Sequence, residues 1–88
     1  MAWRIEYAAS VERDIDSLPK HIRSMAFQKI AALQQDLFPP GAKKLGGGKN
    51  RYRIRVGGDY RVVYRVQSDD RLVIIQRVRH RREVYRGL

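Results

Sequence analysis

The stretch from Asn50 to Val66, NRYRIRVGGDYRVVYRV, sets arginine against apolar residues at alternate positions, turns at two glycines, and repeats the alternation. Such a pattern admits little besides a β-hairpin with two unlike faces, because successive side chains of an extended strand point to opposite sides of the sheet. Tyr52, Ile54 and Val56 share one face and Arg51, Arg53 and Arg55 the other. On the return, Tyr60, Val62, Tyr64 and Val66 join the apolar set, and Arg61 and Arg65 the basic one. One face is a core. The other is a row of guanidinium groups that calls for an anionic partner.

The remaining segments supply what covers the core face. WRIEY alternates Trp3, Ile5 and Tyr7 with Arg4 and Glu6 and reads as a short first strand. Ser10 stands at a helix N-cap position, followed by Val11, Ile15 and Leu18 at helical spacing. Pro19 opens a second helix over LPKHIRSMAFQKIAALQQDL, with Ile22, Ala26, Ile30, Leu33 and Leu37 as its apolar stripe. FPPGAKKLGGGKN then reads as an irregular loop. Three strands follow, Arg51 to Val56, Tyr60 to Val66 and Leu72 to Val78. The order β-α-α-β-β-β predicts a single α+β domain over residues 1–88, a helical hairpin packed on an antiparallel-rich sheet. Val73 and Ile75 fall in step with the arginines, so the last strand is expected to be central and partly covered on the arginine side as well.

The charge follows the same division. Eight basic and five acidic residues precede Asn50; from Asn50 onward eleven basic residues, all arginine, face four acidic ones. A net charge of +10 over 88 residues, carried largely by planar forks suited to phosphate, points to a polyanion and to nucleic acid before others. There is no cysteine, hence no disulfide framework or thiolate metal site. No apolar run reaches the roughly 18 residues of a membrane span, and charges interrupt the N-terminal stretch. No membrane partner and a cytoplasmic setting are the expectations.

The loop GAKKLGGGKN invites a phosphate-loop reading, but Lys43 and Asn50 occupy the positions where that motif needs glycine and Ser or Thr. Lys43, Lys44 and Lys49 are instead read as phosphate contacts beside the arginine face. His21 and His80 lack carboxylate or cysteine neighbours at ligand spacing, so neither a metal nor a cofactor is expected. His80 sits among Arg77, Arg79, Arg81 and Arg82, whose charge favours a neutral imidazole able to accept a proton; the alternative is that it orients nucleic acid or a neighbouring strand. No Ser-His-Asp or Cys-His arrangement is visible. RNA cleavage by such a chain would proceed without a metal, by attack of the RNA 2′-hydroxyl on the adjacent phosphate while fixed guanidinium groups stabilise the phosphorane. Arg53, Arg55, Arg61, Arg65, Arg77, Arg79 and Arg81 stand at odd positions for that purpose, with Arg51 and Arg82 adding binding charge. Tyr85 either stacks a splayed base or seals the end of the core.

Three quoted segments, LPKHIR, KKLGGGKNRYRIRVGGDYRVVYRV and RVRHRREVYRGL, closely resemble the RelE branch of the RelE/ParE toxin superfamily, and the resemblance spans essentially the whole chain. It implies a microbial-ribonuclease-like fold and cleavage of mRNA in the ribosomal A site. By that resemblance the catalytic set is Arg53, Arg55, Arg61, Arg81 and Tyr85. Arginine stands where RelE toxins often carry lysine; because it stays charged it is a poor proton acceptor, which raises the standing of His80. The family also implies an acidic antitoxin, RelB-like or other, expected to cover a basic face on which Val63 and Ile75 lie among the arginines. Two other functions fit the same pattern: a ParE-like gyrase poison, and a non-catalytic RNA-binding protein.

Overall fold

The computed structural model describes residues 3–88. Its elements are β1 (Arg4–Tyr7), α1 (Val11–Asp16), α2 (Lys20–Ala32), β2 (Lys43–Lys44), β3 (Arg51–Val56), β4 (Tyr60–Gln67), a 3-10 turn (Ser68–Asp70) and β5 (Leu72–His80). They form one five-stranded sheet in the order β1-β5-β4-β3-β2, antiparallel except where β1 runs parallel to β5. This is the α+β arrangement that the alternation predicted. No helix is long and apolar enough to cross a membrane among the described residues.

The helices close one face. Val11, Leu18, Ile22, Ala26, Ile30 and Leu33 pack with Ile54, Val56, Val62, Tyr64, Val66, Val73, Ile75 and Val78 in one buried cluster. Arg23 reaches back from α2 and donates to the carbonyls of Ile15, Asp16 and Leu18 at the end of α1. Ser10 holds the N-cap position of α1, yet its side chain makes no capping bond. α2 is shorter than its apolar stripe suggested. From Leu33 the chain tightens into turns, as Gln34 N–H donates to Ala31 and Gln35 N–H to Ala32, while Gln34 and Trp3 exchange bonds that tie this end to β1. Leu37, half-buried beyond the helix, presents its carbonyl to the Tyr64 hydroxyl at 2.7 Å.

Two features depart from the sequence reading. The glycine-rich loop contains β2, where Lys43 and Lys44 pair with Arg53 and Tyr52 and shield the outer edge of β3 with a short charged strand. β5 carries a bulge: Val63 of β4 faces Arg77, but Tyr64 faces Ile75. The extra residue shifts the side-chain alternation by one. Val73 and Ile75 therefore turn into the helix-covered core and are fully buried there, rather than lying among the arginines. Ile74 takes the place opposite Arg65, and Arg77 and Arg79 stay on the arginine side. Gly57 opens the β3–β4 turn at φ +61°, a left-handed backbone that favours glycine; a Cβ there would stand 2.8 Å from Ile22 Cδ1 and push the tip of that side chain aside.

Candidate nucleic-acid interface

The register of the central strands arranges the basic residues in rows, because residues directly opposite in a ladder share a face. Arg55, Arg61 and Arg79 form the row at one end of the sheet; Lys43, Arg53, Val63 and Arg77 the next; Arg51, Arg65 and Ile74 the third. Val63 lies in the middle of this face with no exposed surface, so the apolar spot expected there is covered. Like charges directly opposite one another are unfavourable in a sheet, and here they recur at Arg51–Arg65, Arg55–Arg61 and Arg61–Arg79.

Several of these side chains are anchored to the protein itself. Arg53 is buried and donates through Nη1 to the Gly41 carbonyl at 3.2 Å, tying the lysine-bearing loop to β3. Arg61 folds back so that Nη1 donates to the carbonyls of Gly58 at 2.6 Å and Tyr60 at 2.9 Å. Arg77 Nη1 donates to the carbonyls of Val84 and Arg86. Burial first, and the Arg79 charge second, hold the Arg77 guanidinium below the usual arginine range. Arg79 Nε meets both carboxylate oxygens of Asp14, at 3.0 and 3.1 Å. Asp14 Oδ2 also accepts the Val78 N–H at 3.1 Å, on the β5 edge that β1 leaves open past Ile75. Arg55, Arg65 and Arg82 are exposed, as are Lys43, Lys44 and Lys49. Arg51 is half-buried beside Gly48, and its Nε is buried without a protein acceptor.

After β5 the chain runs through turns that bring Arg81 and Tyr85 to the end of the sheet. Arg81 N–H donates to the Asp59 carbonyl at 2.7 Å, and Arg81 Nε stands 3.8 Å from Asp59 Oδ1. Arg61 and Arg81 thus meet at the same Gly-Gly-Asp turn from different strands. Tyr85 is 43% exposed, which leaves its ring open to a ligand and excludes the role of sealing the core; Val84, fully buried, takes that place. His80 lies opposite Tyr60 on the helix side, with the two rings edge to face at 5.3 Å. Its Nδ1 accepts the Arg82 N–H at 3.2 Å. With Ser17, Leu18, Tyr60 and Glu83 it borders a cleft of about 390 Å³. The catalytic candidates are therefore divided: Arg61 and Arg81 share the Gly-Gly-Asp turn with Arg55 opposite Arg61, Tyr85 is exposed on the segment held by Arg77, Arg53 is turned into the structure, and His80 lies on the opposite face.

Asp14 is the residue that sequence reasoning missed. It lies three residues from Val11 and four from Leu18, on the stripe that α1 buries, and a carboxylate on such a stripe signals a partner on the element beneath. Among the described residues no group of three or more His, Asp or Glu side chains is placed to hold a metal ion.

A sequence model of the ParE toxin of type II toxin-antitoxin systems matches residues 5–85. Toxin RelE3 of Methanocaldococcus jannaschii is 34% identical over 87 residues, spanning 93% of this chain and 94% of its own. Toxin RelG of Mycobacterium tuberculosis is 28% identical over 90 residues, spanning 98% and 99%. Among solved structures, an archaeal RelE–RelB complex from Pyrococcus horikoshii matches with a TM-score of 0.80 at 28% identity, over 96% of this chain and 100% of that one. A RelB–RelE antitoxin–toxin complex from Methanococcus jannaschii matches with a TM-score of 0.72 at 32% identity, over 88% and 91%.

Proposed function

The chain belongs to the RelE/ParE family of type II toxin-antitoxin toxins, and from that membership we propose that its arginine face is the site of a ribosome-dependent endoribonuclease acting on mRNA. The 2′-hydroxyl oxygen of one nucleotide attacks the adjacent phosphorus, the bond to the 5′-oxygen breaks, and a cyclic phosphate and a free 5′-hydroxyl result. Arg61 and Arg81 meet the charge that develops on the phosphorane, where fixed cations act without reorganising. Arg55 holds the neighbouring backbone, and Tyr85 stacks a base splayed from its strand. His80 lies on the helix side with Nδ1 accepting the Arg82 N–H, which leaves the proton of a neutral ring on Nε2, so it is not assigned as the base. The 2′-hydroxyl proton leaves through water, and water returns one to the departing 5′-oxygen. Lys43, Lys44, Lys49, Arg51, Arg65 and Arg82 supply the electrostatic footprint on mRNA and the ribosomal A site.

The observation that carries this reading is the meeting of Arg61 and Arg81 at the Gly-Gly-Asp turn, with Tyr85 exposed on the segment that follows Arg81. The partner that restrains it is an acidic antitoxin of the RelB kind, as in the toxin–antitoxin complexes that share the fold. A second reading, poisoning of DNA gyrase, is favoured by the ParE description of the matching family. Expression under tight control with mapping of mRNA ends decides between them. Codon-phased cuts in translated messages support the nuclease, DNA damage with intact mRNA the gyrase poison, and harmless expression a binding protein alone.

A further inference from the structure

We propose that Arg77 is a positioning residue that fixes Tyr85 for stacking, and that it makes no phosphate contact. The inference rests on the RNA-binding reading of this face. By register Arg77 belongs to the arginine row with Arg53 and Val63, where sequence alone makes it one more contact for RNA. Its Nη1 is instead spent on the carbonyls of Val84 and Arg86, the two residues that flank Tyr85. Nη2 stands near Gly87, 3.8 Å from where a Cβ would lie, so the guanidinium sits beneath the whole turn.

The segment needs such a post. Beyond Arg81, whose N–H still meets the Asp59 carbonyl, and apart from the buried Val84 side chain, the described chain is held by local turns: Glu83 and Val84 N–H to the His80 carbonyl, Arg86 N–H to Glu83, and Leu88 N–H to Tyr85. Those bonds leave the Val84 and Arg86 carbonyls to Arg77. An exposed aromatic on a turn fixed only at Val84 would lose conformational freedom each time it stacked on a base, and Arg77, by holding the carbonyls on both sides of Tyr85, lowers that cost in advance. The other anchored arginines differ in their targets. Arg53 holds Gly41, Arg61 the hairpin turn, and Arg79 the Asp14 carboxylate. Among the described residues Arg77 alone donates a side-chain bond to the carbonyls around Tyr85.

The test has two arms. In the free chain, amide hydrogen exchange by NMR should show the hydrogen-bonded amides of Val84, Arg86 and Leu88 exchanging at least about tenfold faster in Arg77→Met while the core of β4 is unchanged. Binding is then measured by fluorescence anisotropy with a short RNA carrying 2′-O-methyl groups, which cannot be cleaved, across a salt series. Arg77→Met should lose about tenfold in affinity, within the worth of one base–aromatic stack, and under about twofold in a Tyr85→Ala background. The slope of log K against log salt should stay put, and Arg77→Lys, which retains a donor at the site, should recover most of the loss. An equal loss in both backgrounds with the slope reduced by about 0.7 would make Arg77 a phosphate contact and overturn the proposal. Faster exchange without any loss of affinity would overturn it too, leaving a purely structural clamp. A wild-type chain that does not bind the RNA defeats the underlying reading, and this proposal with it, before any variant is made.

Discussion

Removing the Asp14 carboxylate should destabilise the fold far more than its place on a short surface helix suggests. Two donors end on it, the Val78 N–H at 3.1 Å and Arg79 Nε, shared between its oxygens at 3.0 and 3.1 Å. Val78 is 1% exposed, so in Asp14→Ala its N–H loses its partner without gaining water, at a cost of about 1–3 kcal/mol. The Arg79 side chain retains 31% exposure and can rehydrate, so the ion pair adds only about 1 kcal/mol. Together about 2–4 kcal/mol is a large part of the roughly 5–15 kcal/mol that holds a small domain. At about 4–8 °C per kcal/mol, the midpoint should fall by about 8 °C or more. Asp14→Asn keeps an oxygen for the Val78 N–H and should lose only about 1 kcal/mol. Both are measured by thermal and urea denaturation in an Arg81→Ala background, which permits expression of an otherwise toxic chain. Equal and small losses in the two variants would refute the assignment of Asp14 as the tie between α1 and the β5 edge.

Arg81→Ala should abolish growth arrest while shifting the thermal midpoint by only a few degrees, since the exposed side chain has one loose contact at 3.8 Å; full toxicity would remove Arg81 from the site. Tyr85→Ala should lower cleavage of a reporter mRNA by about tenfold or more and Tyr85→Phe much less, because the ring does the stacking; identical rates for the two variants would shift the role to the hydroxyl or abolish it. The buried Tyr64 phenol is pushed up to about 12 from 10.0, by burial first and then by Tyr52 and Asp36. The folded chain therefore keeps a proton that the unfolded chain gives up, and stability present below about pH 10 should drain away between about pH 10 and 12. Tyr64→Phe should lose the Leu37 bond at neutral pH yet show a shallower decline over that window, as read from urea midpoints.

The hairpin was legible because both of its requirements are local. Period-two alternation sets the faces and Gly57–Gly58 sets the turn, so Arg55 and Arg61 could be placed on one face, whereas their pairing across the ladder emerges only from the register. The β5 bulge was not, because nothing inside LVIIQRV marks where an extra residue falls; only the pairing of Tyr64 with Ile75 and Val63 with Arg77 reveals it. That one residue decides whether Ile75 is core or surface. β2 escaped for a related reason, since two lysines carry no alternation and their strand exists only through the free edge of β3. The sequence showed which arginines lie near the end of the sheet, but not which are held and which are free. Those facts depend on carbonyls, and backbone carbonyls leave no trace in residue identity.

The choice of carbonyls as anchors bears on how such a face can exist at all. Seven arginines in three rows would repel one another, and the usual remedy is to interleave carboxylates, which satisfies the guanidinium groups and cancels their field. Here only Arg79 and Arg81 of the arginine site have carboxylate partners, and the Arg81 contact is long and exposed. Arg53, Arg61 and Arg77 are held by neutral oxygens of Gly41, Gly58, Tyr60, Val84 and Arg86. A carbonyl fixes direction without removing net charge, so the side chains are ordered while the surplus of the arginine-rich half remains available to an anion. Arg51, with a buried Nε that no protein atom accepts, and exposed Arg65 opposite it are the positions where repulsion is least relieved from within. A polyanion laid across the face relieves most there, and that relief adds to affinity without adding any contact specific to sequence.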